Sequence, residues 1–283
     1  MSSTDLLDVT TMQLFDAINA AKEAAQSQDK RPHLGASLAG NECKRKIWNE
    51  FRWIASKKFS ADTLRRFADG HASEDIFAED LERVVKITDR QWSFKDGHLG
   101  GSIDGFLPDG VPGFEEPMIW EHKCIGADKW KSLNRKLGEY KMMRCVDRLL
   151  LDWNFNYYSQ AQIYMHYKKV DWHFITVASA GTRDIMGFRT PYDDTFAYEA
   201  IRKAKAIAVA MEPPSVLGGK SNFPCSFCDF SSHCYEGADP LRHCRSCRYV
   251  TPTVDGVFTC SLTSDELSVE AQKEGCKEWT HHL

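Results

Sequence analysis

The hydrophobic period of the chain changes several times along its length, and the order of those changes limits the folds open to it. Leu7, Leu14, Ile18, Ala21 and Ala25 recur at helical intervals over residues 6–25. After the polar break QSQDKRPHLG, helical spacing resumes over 38–54 and over 61–82, where Leu64, Phe67, Ile76, Phe77 and Leu81 mark one apolar stripe. From residue 85 the period falls to two. Val85 with Ile87, Trp92 with Phe94, Ile103 with Phe106 and Leu107, and Met118 with Trp120 predict three or four successive strands, separated by Gly, Asp and Pro turns. Helical spacing returns over 126–150 and 154–168, strands are expected at Trp172–Ala178 and Ile185–Thr190, and a last helix at Phe196–Met211. Helices, a run of strands, helices, two strands and a helix make an α/β arrangement with a mixed central sheet flanked by helices. Regular patterning fades from Pro213, where seven of the ten cysteines fall, so a small cysteine-rich appendage is expected there.

At 283 residues and 42% hydrophobic content the chain can bury a substantial core, which fits one main domain carrying that appendage. No apolar run approaches the roughly 20 residues that cross a bilayer, and the opening MSSTDLLDVT has neither the basic nor the apolar region of an export signal. The expectation is a cytoplasmic protein without membrane contact. A net charge of −4 and a pI near 6.2 count weakly against a nucleic-acid partner. Two basic stretches count the other way: Lys44, Arg45, Lys46, Arg52, Lys57, Lys58, Arg65 and Arg66, then Lys129, Lys131, Arg135, Lys136, Lys141, Arg144 and Arg148. Taken alone, both read more readily as solvated helix faces than as a nucleic-acid surface.

The sharpest local pattern is Gly101-Ser102-Ile103-Asp104 on one predicted strand and Trp120-Glu121-His122-Lys123 on the next. Residues two apart on a strand share a face, so Glu121 and Lys123 project together and His122 points away, and an adjacent strand can set Asp104 beside Glu121. Two carboxylates hold a hard divalent cation through oxygen, and an ammonium beside them steadies the charge of a phosphate under attack. The plain alternative is a turn aspartate and a same-face Glu121–Lys123 salt bridge.

These residues do not stand alone. From about Leu34 to Cys234 the chain resembles the PD-(D/E)XK nuclease superfamily, and within it the RecB-like branch of the CRISPR-associated iron–sulfur exonucleases. The family's upstream helix with a His or acidic ligand is matched by Gly70-His71 with Glu74, its GxxD strand by Asp104, its ExK strand by Glu121 and Lys123, and its following Q-x-x-x-Y helix by Gln160 and Tyr164. The resemblance implies that Asp104, Glu121 and the main-chain carbonyl of His122 bind magnesium or manganese, with His71 or Glu74 completing the shell. These two are three apart on one helix face, so either can reach the metal. Gln160 and Tyr164 are implied to contact DNA.

Cysteines in a chain without an export signal point to metal rather than disulfides when they are grouped. Cys225-x2-Cys228-x5-Cys234, with Cys43 far upstream, resembles the iron–sulfur branch and implies a [4Fe-4S] cluster, although zinc suits the same atoms. Cys244-x2-Cys247 followed by Cys260 and Cys276 reads as a zinc ribbon held by metal, with His243, His281 and His282 nearby. Cys124 and Cys145 read as buried structural residues. The expected divisions are an N-terminal helix over 1–33, a nuclease core over 34–212, a cluster segment over 213–240 and a zinc-ribbon-like tail over 241–283.

The combined expectation is a metal-dependent DNA nuclease, an exonuclease acting on ends or single strands in replication, recombination or repair, with DNA threading a groove lined by the basic stretches. Such compact nucleases are frequent in phages, which would place this one in the bacterial host cytoplasm beside replication or recombination proteins. The rival is an inactive nucleic-acid-binding scaffold organised by structural metals. The intact Asp, Glu and Lys set speaks against it.

Overall fold

The computed structural model of the chain describes residues 3–27 and 30–282, with side chains from residue 11 onward. In chain order the elements are α1 (Ser3–Ala24), β1 (Leu34–Gly35), α2 (Ala36–Ala39), α3 (Lys44–Phe51), α4 (Ala61–Glu82), β2 (Ser93–Asp96), β3 (Leu99–Ser102), β4 (Gly105–Leu107) and β5 (Met118–Ile125). There follow α5 (Ala127–Met142), α6 (Leu149–Trp153), α7 (Phe155–Lys168), β6 (Trp172–Ser179), β7 (Ile185–Pro191) and α8 (Asp194–Val209). The C-terminal part adds α9 (Phe223–Ser226), α10 (Ser231–Tyr235), β8 (Val250–Pro252), β9 (Phe258–Cys260), β10 (Glu266–Leu267) and α11 (Val269–Lys273).

The expected mixed α/β architecture is present. Its main sheet runs β4-β5-β6-β7, with β5 and β6 parallel along their full length, from Met118↔Trp172 to Ile125↔Ser179, and the outer strands antiparallel. Parallel neighbours need a long crossover, and α5, α6 and α7 supply it. A second sheet, β1-β3-β2, leads through the end of β3 into β4. Cap chemistry places the helices beside the site: the Ser60 side chain accepts from the Thr63 N–H to start α4, and Asn154 accepts from the Tyr157 N–H to start α7.

Several elements depart from the periodicity reading. In α4, Phe67 and Ile76 are exposed, and the buried positions are Ala61, Ser73 and Ala78, with Phe77 and Leu81 packed toward Trp120. Small side chains let this helix approach β5 closely, and only its C-terminal half covers the sheet. Leu14 and Ile18 of α1 are likewise exposed, while the Leu7 side chain lies outside the described residues. Val85 and Ile87 form no strand; Thr88 makes a single bridge to Phe106. The Gly101–Asp104 segment is not one strand either, because β3 ends at Ser102 and Asp104 stands at a bend before β4. Beyond Pro213 the chain retains regular structure, a β10-β9-β8 sheet whose strands of two or three residues are too short to display a period. Val250, Phe258 and Cys247 from this region belong to the same core as Phe51, Leu99 and Ile103.

Four buried histidines, His98, His122, His173 and His243, make stability depend on pH. His173 and His98 are 1% and 4% exposed, and desolvation pushes their pKa down to about 3 and about 4, with Lys123 adding to the shift of His173 and Arg245 and Arg52 to that of His98. Both folded values lie below the unfolded value of about 6.5, so their contribution is complete above that pH and is lost as pH falls toward 4, each with a slope of at most about 1.4 kcal/mol per pH unit. Thermal melting is therefore expected at a lower temperature at pH 5 than at pH 7.5, with a smaller difference in His173→Leu. An equal or higher melting point at pH 5 would contradict this.

Candidate active site

Asp104 takes its position from the break between β3 and β4. Gly105 pairs with Trp120, which sets Asp104 opposite Glu121, and Asp104 Oδ2 accepts the His122 N–H at 2.8 Å. A side chain thus takes the place of a ladder carbonyl and is fixed at the edge of β5. Glu121 and Lys123 share the adjoining face. Lys123 Nζ lies 2.9 Å from Glu121 Oε2, 2.9 Å from the His122 carbonyl oxygen and 3.7 Å from Asp104 Oδ2, so the ammonium sits between the two carboxylates. His122 points the other way, as alternation requires, bonding Ser73 Oγ at 3.0 Å and Thr176 Oγ1 at 2.9 Å and stacking on Phe77.

Burial raises the Glu121 pKa while Lys123 pulls it down and Asp104 adds to the rise; burial works against the Lys123 ammonium, and Glu121 and then Asp104 outweigh it. These shifts oppose one another, because Lys123 gains its push only while Glu121 is ionised. At 2.9 Å the ion pair holds and the proton rests on the lysine.

Of the two residues on α4, the structure brings in Glu74. It is half-buried, accepts from Arg90 at 3.2 Å and Gln91 at 3.1 Å, and burial followed by the charge of Asp104 pushes its pKa up. His71 is exposed. On α7, Gln160 Nε2 donates to Tyr164 Oη at 3.0 Å, and burial and then the charge of Glu121 push the Tyr164 phenol up, so it stays protonated beside the carboxylates. Gly101 makes room for this ring, since a Cβ there would stand 2.6 Å from Tyr164 Cε1. Tyr157 on the same helix places its ring 5.8 Å from Lys123 Nζ. Its spacing of three and seven from Gln160 and Tyr164 was the available signal.

The donor set is carboxylate and carbonyl oxygen, which suits a hard cation such as magnesium or manganese. Glu121 Oε1 is buried without a hydrogen-bond partner among the described residues, a situation that costs roughly 1–3 kcal/mol and that a cation relieves. Among the described residues no three His, Cys, Asp or Glu side chains are grouped so as to hold a metal ion, neither the carboxylates nor either cysteine set.

Cys43, Cys225, Cys228 and Cys234 line one small cavity, and burial raises the Cys234 pKa, with the other three among the groups that act on it. The Cys244 thiol is pushed up to about 11 by burial, then by Cys247, Cys276 and Cys260. His243 is committed elsewhere, with Nε2 2.8 Å from the Trp53 carbonyl oxygen and Nδ1 accepting from the Ser246 N–H. The first basic stretch is divided: Lys44, Lys58 and Arg66 are exposed, while three others are engaged by the protein. Arg52 is fully buried against the carbonyls of Arg245, Val250 and Ala210, Arg45 bonds those of Pro213 and Pro214, and Lys57 pairs with Glu50. Lys57 also lines a cavity with Lys30 and Arg31. The second stretch differs: Lys129, Lys131, Arg135, Lys141, Arg144 and Arg148 are exposed on or just after α5, which follows directly from β5.

No family model matches the chain, and no curated protein does. Among solved structures it is similar to an alkaline exonuclease of Laribacter hongkongensis (14% identity, 66% of this chain and 90% of that one, TM-score 0.44) and to the same exonuclease in complex with dAMP (15%, 62% and 86%, TM-score 0.41). It is also similar to a phage-related exonuclease of Haemophilus somnus 129PT (14%, 62% and 91%, TM-score 0.32). At this identity and superposition the likeness carries no weight on function, and the site stands on its own geometry.

Gly101→Ala is expected to lower stability by about 1–3 kcal/mol, the usual range for overpacking, read from the denaturant midpoint. The loss should shrink when Tyr164→Leu is introduced with it. An equal loss in both backgrounds would show that the Tyr164 ring is not the obstacle.

Proposed function

We propose that this protein is a metal-dependent DNA nuclease of the PD-(D/E)XK, RecB-like type, acting on DNA ends or single strands. The observation that carries the proposal is the convergence of Asp104, Glu121 and Lys123 at one edge of β5, with an orphaned carboxylate oxygen among them. Asp104, Glu121 and the His122 carbonyl would hold magnesium or manganese, with Glu74 on their α4 side. A divalent ion bound there lowers the pKa of a water and offsets phosphate charge.

The chain's own groups have separate tasks. Lys123 offsets negative charge growing on the scissile phosphate. Gln160 and Tyr164, neutral donors on one face of α7, orient the strand, and the exposed cations of α5 track its backbone. Cys43 with Cys225, Cys228 and Cys234 would hold a [4Fe-4S] cluster, zinc being the alternative for the same thiolates, and Cys244, Cys247, Cys260 and Cys276 a zinc ion. Replication, recombination or repair is the setting in which such an activity operates.

The test uses purified protein, labelled linear and circular DNA, and manganese. Wild type is expected to degrade linear DNA, and Glu121→Ala and Lys123→Ala to lose at least roughly a hundredfold in rate with unchanged circular dichroism. Retained cleavage in both variants would remove the assignment. On the same preparation a broad visible absorption band marks iron at the Cys43 set, and a colourless protein containing zinc marks the alternative.

A further inference from the structure

Arg245 lies between the cysteines of the Cys244–Cys247 knuckle and is 1% exposed. Its guanidinium donates to the carbonyls of Pro32 and, at 3.0 Å, Phe51, and to Gln272 Oε1 at 2.7 Å, and it stacks over Trp53 at 3.8 Å and Phe258 at 4.4 Å. Among the described residues no carboxylate pairs with it, and burial, reinforced by Arg52, pushes its pKa down to about 9. A buried charge without a counter-ion is costly. What it gains is a fork that ties a tail residue to two separate N-terminal segments.

We propose that Arg245 is a positioning residue for the carboxylate edge, fixing through Pro32 and β1 the strand that delivers Asp104. Two residues after Pro32, Leu34 pairs with Leu99 and Gly35 with Gly100, and the Leu34 N–H donates to the His98 carbonyl at 2.7 Å. The tail grips the start of β3 a second time. The Phe258 ring lies 4.7 Å from that of His98, and the Gly97 and Gly256 turns meet so closely that a Cβ on Gly256 would stand 2.3 Å from the Gly97 carbonyl oxygen. Glu121 is held separately, within the four-stranded sheet. Asp104 meets Glu121 through the β4–β5 register and its bond to the His122 N–H, and the seating of β3, of which Arg245 is a polar element, fixes the segment from which that bend departs. The catalytic consequence rests on the nuclease reading; the mechanical link does not.

The test compares wild type with Arg245→Met by hydrogen exchange, manganese affinity and steady-state kinetics on linear DNA. Expected are exchange over residues 97–104 faster by at least about tenfold, with residues 172–179 unchanged, manganese affinity weaker by about tenfold, and a fall in kcat with KM for DNA little altered. Unchanged exchange over 97–104, or an equal rise in both segments, would overturn the proposal, the latter showing only a general loss of stability. Should Arg245→Met fail to fold, Gln272→Leu removes one partner of the fork and must shift the same segment in the same direction; no shift there overturns it equally. A wild-type protein that binds no manganese would sink the nuclease reading while leaving the exchange result to decide the link.

Discussion

The hydrogen bond from the His122 N–H to the Asp104 carboxylate governs what the rest of the site can be. Had β3 continued straight into β4, the edge of β5 would have been met by a main-chain carbonyl and Asp104 would have pointed by alternation alone. The bend after Ser102 substitutes a charged side chain for a neutral ladder acceptor. Charge-assisted bonds of this kind are shorter and stronger than neutral ones, and this one aims a carboxylate at the face where Glu121 and Lys123 emerge. Position on the strand and electrostatic purpose are set by the same contact.

Around that contact, burial is used against charge. Glu121 is 2% exposed, and among the described residues one of its oxygens is bonded by Lys123 alone and the other has no partner. Two acids and one ammonium leave a net negative charge in a poorly solvated place, which favours recruitment of a further cation. Aromatic and neutral polar groups complete the wall, with Tyr157 beside the ammonium and Gln160 bonded to Tyr164.

Much of this was legible in the residues themselves. The alternation along Trp120–Lys123 fixed which side chains share a face, and the helical spacing of Gln160 and Tyr164 put them on one side of α7. The bend at Asp104 was not legible, because Ile103 and Phe106 continue an apolar pattern straight across it. Neither was the burial of Glu74 near Asp104 with His71 left exposed, since both lie on one face of α4. Charge counting misled for Arg52, a residue type that is usually solvated. Its burial depends on carbonyls from Ala210, Arg245 and Val250, more than 150 positions away, and local sequence carries no signal of that. The spacing of Cys244, Cys247, Cys260 and Cys276 suggests a ribbon, and strands too short to display a period suggest an appendage, although Val250 and Phe258 enter the main core.

The central claim is spatial, so the most direct measurement is too. Crystals soaked in manganese and measured at a wavelength where that metal scatters anomalously should give a difference peak bounded by Asp104, Glu121 and the His122 carbonyl, absent from Asp104→Ala crystals treated identically. A peak that persists in the variant, or none in the wild type beside those oxygens, would contradict the account.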